Sequence, residues 1–251
     1  MNTWIGAGRS EVGLVRALNQ DAFTVINDVG VWAVADGMGG HVGGEVAAQT
    51  AIATVQAEAA ASSRLLRNGQ TSPTDVLTDL LSRAHDAILN RARSKSKLKG
   101  MGTTIVLLTI VPGPGPIAYI AHAGDSRAYR FRSGTLTLLT KDHTLIEKYL
   151  ERGILTAESA KTHPERHVLT RALGVGVTVK PTVTAFPLLP EDLVLLCSDG
   201  LTKMLEDEDI RTVFAAGELD PAQVCNRLVT AALDRGGEDN VTVVVVAPRS
   251  S

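Results

Sequence analysis

Short apolar runs of strand-forming residues recur along most of the chain, and glycine, proline, asparagine or aspartate bounds each one. They predict strands over residues 23–26, 31–35, 104–111, 117–122, 127–132, 136–140, 193–197 and 241–247. Several runs are apolar at consecutive rather than alternate positions, which is typical of strands covered on both faces. The pattern therefore predicts sheets enclosed between other layers.

Three longer segments have the periodicity of amphipathic helices. In the first, one face collects the apolar residues Ala48, Ile52, Val55 and Ala59. The second begins at Ser72-Pro73, where serine suits the N-cap and proline suits the first helical position. The third repeats this start at Asp220-Pro221 and ends before Gly236.

The order of these elements distinguishes between fold classes. The helices do not follow every strand, so a doubly wound parallel sheet is disfavoured. The order favours an α+β fold in which two sheets lie between layers of helices. The proline–glycine run at 112–116 falls between two strand patterns and is interpreted as a hairpin loop. We therefore expect a single domain spanning residues 1–251.

Composition excludes several classes of protein. Hydrophobic residues make up 44% of the chain and charged residues 21%, which excludes a disordered or fibrous protein. The 25 basic and 27 acidic residues are balanced, so we expect no nucleic-acid partner. Two cysteines are too few for a disulfide framework. No signal peptide or membrane-spanning run is recognisable, so we expect a cytoplasmic protein without membrane insertion.

Five aspartates lie at the boundaries of apolar runs. Asp36, Asp125 and Asp199 each follow such a run, Asp239 precedes the last strand, and Asp21 precedes the strand at 23–26. A single Asp-Gly pair is usually a turn, but its repetition favours a group of carboxylates. Gathered carboxylates repel one another unless cations compensate, and oxygen ligands suit Mg²⁺ or Mn²⁺. The spacing alone leaves open whether they cluster.

A glycine-rich loop at 36–45 leads from the first of these aspartates into the first helix. Glycines let the backbone approach a ligand closely, so the carbonyl of Gly37 could bind the same ion as Asp36. A flexible turn before a helix is the alternative interpretation.

Seven motifs follow one another along nearly the whole chain. They are RALNQD at 16–21, VADGMGGH at 34–41, GTT at 102–104, GDSR at 124–127, LTRALG at 169–174, SDGL at 198–201 and EDNVT at 238–242. This ordered set resembles the metal-dependent protein serine/threonine phosphatases of type 2C (the PPM family), in particular their compact bacterial members. The resemblance implies a central β-sandwich of two antiparallel sheets flanked by helix pairs (α-β-β-α), with metals at one edge and a flap subdomain at about 143–171.

The resemblance also implies a metal centre with two core ions, Mn²⁺ or Mg²⁺. Asp36 would bridge the two ions, and the carbonyl of Gly37 would bind one of them. Asp199 and Asp239 would bind the other ion. Asp21 would hold the second ion through water.

Two further roles follow from the resemblance. Asp125, together with Asp199, would bind a weaker third ion. Arg16 would hold the substrate phosphate, since its planar fork matches two phosphate oxygens; an ordinary surface arginine is the alternative. Gln20 departs from the glutamate of animal relatives, but bacterial relatives often share the glutamine.

The implied reaction is hydrolysis of phosphoserine and phosphothreonine in proteins, by a metal-activated water and without a phosphoenzyme. Neither Cys197 nor Cys225 begins a Cys-x5-Arg loop, because Lys203 and Ala231 lie six residues after them. His41 is one candidate general acid and a metal-bound water is the other. A lone histidine is more often structural.

The expected partners are phosphorylated proteins in a signalling pathway, with a Hanks-type Ser/Thr kinase as the counterpart and a monomer as the default state. The flap, with short helical patterns at 145–152 and 157–161, would affect substrate choice; a plain surface excursion is the alternative. Two other functions remain open. One is a catalytically weak phosphoprotein-binding module of the same fold, and the other is a hydrolase of nucleotides or small phosphate esters.

Overall fold

Two antiparallel sheets form the centre of the molecule. The computed structural model describes residues 4–38, 43–111, 115–217 and 220–249. The first sheet has the order β1-β11-β10-β7-β8 and the second the order β2-β3-β5-β6-β9, with β4 paired to β3. Their bounds are β1 Trp4–Glu11, β2 Asp21–Ile26, β3 Val31–Met38, β4 Gly102–Thr103, β5 Ile105–Val111, β6 Ile117–Ala123, β7 Arg127–Arg132, β8 Thr135–Leu138, β9 Thr182–Pro187, β10 Leu193–Cys197 and β11 Val241–Pro248.

Helices cover the outer face of each sheet. The bounds are α1 Gly43–Asn68, α2 Pro73–Ser94, α3 Leu145–Glu151, α4 Ala157–Lys161, α5 Asp199–Met204, α6 Asp207–Ala215 and α7 Pro221–Asp234, with a short 3₁₀ helix at Ser96–Leu98. Helices α1 and α2 pack on the second sheet, and α5 to α7 pack on the first. The predicted α-β-β-α architecture is confirmed.

Strand β11 shows why the predicted strands are apolar at consecutive positions. Val243 and Val245 pack among the helices on the first sheet, whereas Val244 and Val246 pack between the two sheets. Successive side chains of a strand point to opposite faces, so a strand with two covered faces needs apolar residues throughout. The prediction of sheets enclosed between layers is confirmed.

The pattern of apolar runs did not predict β1 or β9. Strand β1 contains Gly6 and Gly8, and glycine is depleted in strands. Here the close approach of the two sheets requires it, because a Cβ at Gly6 would collide with the indole of Trp32 and one at Gly8 with the ring of Phe23. Strand β9 lies at a sheet edge and ends in proline, which a strand pattern also disfavours.

Other local predictions have mixed outcomes. Asp220 caps α7 as expected, because its side chain accepts a hydrogen bond from the amide of Ala222. Ser72 is the N-cap residue of α2 and Pro73 the first helical residue, as predicted, but the Ser72 side chain makes no capping hydrogen bond. The strand predicted at 104–111 corresponds to β5, which begins one residue later, at Ile105; the two-residue strand β4 precedes it. Among the described residues, none of the helices has both the length and the apolar character that crossing a bilayer requires.

Candidate metal centre

The β2–β3 hairpin sets two of the predicted acids opposite each other. Asp21 and Asp36 are direct partners in the antiparallel register, so their side chains lie on the same face. The backbone of Asp36 is fixed, since its carbonyl accepts hydrogen bonds from the Thr104 amide (2.8 Å) and the Thr103 hydroxyl (2.8 Å). Asp36 therefore lies inside strand β3, not after its end as the sequence predicted.

Gly37 follows within the same strand and leaves no room for a side chain. A Cβ at this position would collide with the carbonyl of Gly44 and would lie 2.6 Å from the carbonyl of Gln20. The end of β3 and the start of α1 thus approach each other more closely than any other residue type allows.

Asp21 is buried and only partly satisfied. Its Oδ2 accepts a hydrogen bond from the hydroxyl of Ser198 at 2.8 Å, whereas its Oδ1 has no partner among the described residues. Burial raises the pKa of Asp21 to about 7, and the charges of Asp199 and Asp239 act in the same direction. An unpartnered carboxylate oxygen in such a position is costly unless a cation binds it.

Asp199 and Asp239 lie next to the ends of two neighbouring strands of the first sheet, β10 and β11. Asp199 is the first residue of α5, and Asp239 comes just before β11. The Lys203 ammonium bridges them, with Nζ 2.6 Å from Asp199 Oδ2 and 2.8 Å from Asp239 Oδ2. Arg16 approaches Asp239 with two donors, Nε at 2.9 Å and Nη2 at 3.0 Å. Asp239 therefore has two cationic partners.

Asp125 lies in the turn between β6 and β7. The neighbouring hydroxyls of Ser126 and Thr104 are hydrogen-bonded at 2.7 Å, which ties this turn to β5. Burial, together with the negative charges of Asp199 and Asp142, raises the pKa of Asp125 to about 7. Asp125 is thus within electrostatic reach of Asp199, as the predicted third-ion site requires.

Asp36 is the centre of this acidic group. Burial raises its pKa well above the ordinary range, and the charges of Asp21, Asp199 and Asp125 raise it further. Each of these acids makes it harder to ionise the others. The structure thus brings all five predicted aspartates, including Asp239, to one edge of the sandwich.

The donor set fits a hard divalent cation, although the carboxylates are not arranged around one point. Among the described residues, no three side chains of histidine, cysteine, aspartate or glutamate converge closely enough to hold a metal ion. Asp199 Oδ1, like Asp21 Oδ1, is buried and finds no hydrogen-bond partner in the described part of the chain. Buried, unpartnered carboxylate oxygens are the ligands that Mg²⁺ and Mn²⁺ prefer.

A cleft of about 490 Å³ opens over the acids. Its lining includes Arg16, Gln20, Asp36, Asp199, Lys203 and Asp239. The Arg16 side chain is half-exposed, with 51% of its surface accessible to solvent. His41, predicted as a candidate general acid, lies outside the described residues.

The base of the segment predicted as a flap is fixed by hydrogen bonds. A bridge between Thr144 and Leu169 closes this base, and His143 ties it to the Asp125 turn through hydrogen bonds with Gly124. Within the segment, partial burial and the charge of Lys203 lower the pKa of His167, whereas the charges of Asp199 and Asp239 oppose that change. The base of the segment therefore adjoins the turn that carries Asp125.

His143 is held in its neutral form at this junction. Its ring stacks on His122 with the centroids 4.4 Å apart, and its Nδ1 accepts a hydrogen bond from the Gly124 amide at 3.2 Å. Burial, together with the nearby His122 and Arg171, lowers the pKa of His143 to about 3. An imidazolium could not accept the bond from Gly124.

Acidification should therefore destabilise this junction. Because the folded-state pKa of His143 is depressed, its contribution to stability is present above pH 6.5 and is lost as the pH falls toward 3. Between pH 6.5 and 5 the loss is about 2 kcal/mol of unfolding free energy. Urea unfolding should show this loss relative to His143→Gln, whereas His163→Gln, on the flap surface, should behave as the wild type. Parallel pH profiles for the wild type and His143→Gln would contradict this assignment.

Sequence reasoning gave no role to three residues of the site. Ser198 donates to Asp21 and accepts from the Thr242 amide, and Asn240 hydrogen-bonds with three backbone groups of the segment 12–20. The third is Lys203. Its position four residues after Asp199 in a helix was a usable signal, since such residues share a helix face. The other two depend on contacts between distant parts of the chain, which no local pattern reveals.

Comparison with known proteins agrees with this geometry. The sequence model described as "Protein phosphatase 2C" matches residues 7–233. The serine/threonine protein phosphatase PstP of Mycobacterium tuberculosis is 40% identical over 243 residues, which cover 95% of this chain and 44% of PstP. This chain thus spans less than half of PstP.

A second relative and one solved catalytic domain match over most of their lengths. The serine/threonine phosphatase stp of Listeria welshimeri is 33% identical over 250 residues, covering 95% of this chain and 93% of that protein. A crystal structure of the catalytic domain of PstP in complex with two manganese ions superposes with a TM-score of 0.82 at 34% identity, over 98% of this chain and 99% of that one. The chain belongs to the protein phosphatase 2C family.

Proposed function

We propose that this chain is a metal-dependent protein serine/threonine phosphatase, a hydrolase of phosphoserine and phosphothreonine. The observation that carries the proposal is the group of five carboxylates at the edge of an open cleft that also presents Arg16. Membership of the protein phosphatase 2C family and the names of the relatives support the same function.

The proposed ligands of the two core ions are Asp36, the carbonyl of Gly37, Asp199, Asp239 and, through water, Asp21. Asp125 and Asp199 would hold a weaker third ion. We propose Mn²⁺ as the working metal, with Mg²⁺ as the alternative, because the PstP catalytic domain holds manganese. When bound, such ions lower the pKa of a water and stabilise the charge that develops on a phosphoryl group.

The chain's own residues would position the substrate. The Arg16 guanidinium lies at the rim of the cleft, where its planar fork could bind two phosphate oxygens once it leaves Asp239. Hydrogen bonds from Thr103 and Thr104 fix the backbone of Asp36. They would thereby hold its carboxylate, the proposed ligand of both ions, in a constant position on β3. His41 is the proposed donor of a proton to the serine or threonine leaving group.

The remaining parts of the proposal concern domain organisation, substrates and partners. We propose a single catalytic domain over residues 1–251, with the flap at about 143–171 affecting substrate choice. Its substrates would be cytoplasmic proteins phosphorylated by a Hanks-type Ser/Thr kinase, and the protein would act as a monomer without nucleic-acid or membrane partners. These parts rest on the family and on the balanced charge of the chain.

The first test is phosphate release from a phosphothreonine peptide. We expect release with Mn²⁺ and none with excess EDTA, and Asp199→Asn should lose the activity because it removes a charged ligand. Release from free nucleotides at a higher kcat/KM than from the peptide would favour the small-molecule hydrolase.

One observation favours a second candidate, a phosphoprotein-binding module with weak catalysis. Asp199 and Asp239 are already paired with Lys203, and Asp239 is also paired with Arg16, so basic side chains compete with any ion. Tight binding of the phosphopeptide without phosphate release under Mn²⁺ or Mg²⁺ would support that module against the phosphatase.

A further inference from the structure

Lys203 occupies a distinctive place in the acidic group. Its Nζ lies between the Oδ2 atoms of Asp199 and Asp239, at 2.6 and 2.8 Å. The Lys203 side chain is only 30% exposed, so its charge is screened less than that of an ordinary surface lysine. Both carboxylates belong to the proposed ligand set.

The surroundings of this ammonium extend beyond its two direct partners. Lys203 lines the same cleft as Asp36, Asp199 and Asp239. One positive charge therefore lies in a cleft with three of the proposed carboxylate ligands.

We propose that Lys203 is a built-in counter-ion of the metal centre, which holds Asp199 and Asp239 together in the metal-free protein and lowers the affinity of the centre for divalent ions. The inference rests on the metal-binding role proposed above. It assigns Lys203 a positioning role, through the carboxylates, and no contact with the reacting atoms.

Competition for the same oxygens is the physical reason. A divalent ion such as Mg²⁺ binds carboxylate oxygens at about 2.0–2.1 Å, whereas the ammonium already lies against the Oδ2 atom of each acid. Two cations in one partly buried site repel each other strongly, because the effective dielectric constant there is far below that of water. An ion that enters must therefore displace the ammonium or share the carboxylates with it.

Arg16 does not play the same part. Its side chain is 51% exposed, compared with 30% for Lys203, and it contacts Asp239 alone among the five aspartates. Lys203 instead joins two acids that come from α5 and from the start of β11. Removing Lys203 should thus affect both the metal-free fold and the ion affinity.

The test compares Lys203→Met with the wild type by two measurements that do not depend on activity. Calorimetric titration of the metal-free, full-length chain with Mn²⁺ should show a dissociation constant at least about tenfold lower in the variant. Thermal unfolding in EDTA should show a melting temperature lower by about 3 °C, because the carboxylates lose their counter-ion. Lys203→Arg, which keeps the charge, should stay near the wild type in both.

Lys141→Met is the matched control. Lys141 also bridges two carboxylates, those of Glu147 and Glu151, but on the surface, so its replacement changes the net charge equally. It should leave Mn²⁺ affinity within about twofold of the wild type, since exposed pairs are weak. Should Lys203→Met fail to fold, Lys203→Gln provides the same comparison with a polar side chain.

Two results would overturn the inference, and they are distinguishable. Unchanged or weaker Mn²⁺ binding by Lys203→Met, or by Lys203→Gln where that variant replaces it, beside a wild type that binds Mn²⁺, would remove the counter-ion role alone. A wild type that binds neither Mn²⁺ nor Mg²⁺ would remove the proposed metal-dependent function and the inference together.

Discussion

Replacing Asp36 with asparagine should reduce phosphate release from a phosphothreonine peptide at least about 10³-fold, while making the metal-free protein more stable. The loss of activity is expected because Asp36 is the proposed bridge between both core ions, and a neutral amide is a poor ligand for hard cations. Steady-state kinetics with saturating Mn²⁺ measures the first effect.

The gain in stability has an electrostatic origin. Asp36 faces Asp21 across the β2–β3 pair, and like charges in direct opposition destabilise a sheet by up to about 1 kcal/mol. Burial and the neighbouring acids raise the pKa of Asp36 above 3.8, the ordinary pKa of an aspartate. Because the unfolded chain then loses this proton more readily than the folded one, the folded state becomes less stable as the pH rises above 3.8. Asparagine removes this cost, and the difference in urea unfolding should therefore widen from pH 4 to pH 7.5 in EDTA.

Asp28→Asn is the control for both effects. Asp28 is exposed at the other end of the same hairpin, so its replacement makes the same chemical change away from the acidic group. It should leave activity and stability unchanged. Activity near the wild-type level in Asp36→Asn would contradict the bridging role, and a metal-free variant less stable than the wild type would contradict the electrostatic account.

The layers of the fold could be predicted because a strand buried on two faces has apolar residues at consecutive positions, which the sequence shows directly. Strand β11 is apolar at consecutive positions because alternate valines face the helices and the other sheet. The sequence of strand β1 lacks such a consecutive apolar run. Its glycines are explained only by Trp32 and Phe23, which approach from the opposite sheet, and a single strand contains no information about that approach.

The acids of the site were predictable for a related reason. Residues near the ends of buried strands reach the rim of a sandwich, and four such positions hold aspartate, whereas the fifth, Asp36, lies inside β3 two residues before its end. The ordered motifs added the family and its implied roles. The partners of each acid were harder to predict, because the contacts of Ser198 with Asp21, of Lys203 with Asp239 and of Arg16 with Asp239 join distant parts of the chain. Those partners decide which carboxylate oxygens are free to bind an ion.

Asn240 illustrates the part of the site that only the folded chain reveals. Its Oδ1 accepts a hydrogen bond from the Gln20 amide at 2.8 Å, and its Nδ2 donates to the carbonyls of Val12 and Leu18, both at 2.9 Å. The side chain is buried, with 6% of its surface exposed. These bonds fix both ends of the segment that carries Arg16 against the start of β11.

Replacing Asn240 with alanine should lower the free energy of unfolding by about 3 kcal/mol, since three hydrogen bonds are lost and each contributes about 1 kcal/mol. Urea unfolding measures this effect. The control is Asn226→Ala, because Asn226 is exposed on α7 and accepts a single bond from Arg9; its cost should stay within about 0.5 kcal/mol. A cost for Asn240→Ala as small as that of the control would contradict the anchoring role.

The same substitution should also affect catalysis, because the segment anchored by Asn240 carries Arg16 to the rim of the cleft. We expect kcat/KM for the phosphothreonine peptide to fall at least about tenfold under conditions in which the variant stays folded, as misplacement of a positioning group commonly does. Mn²⁺ affinity, which depends on the aspartates, should change less. A destabilised Asn240→Ala variant with unchanged kcat/KM would leave two explanations: Arg16 binds phosphate without a fixed segment, or Arg16 does not bind phosphate. Arg16→Ala separates these two cases. Only in the first case would Arg16→Ala reduce kcat/KM.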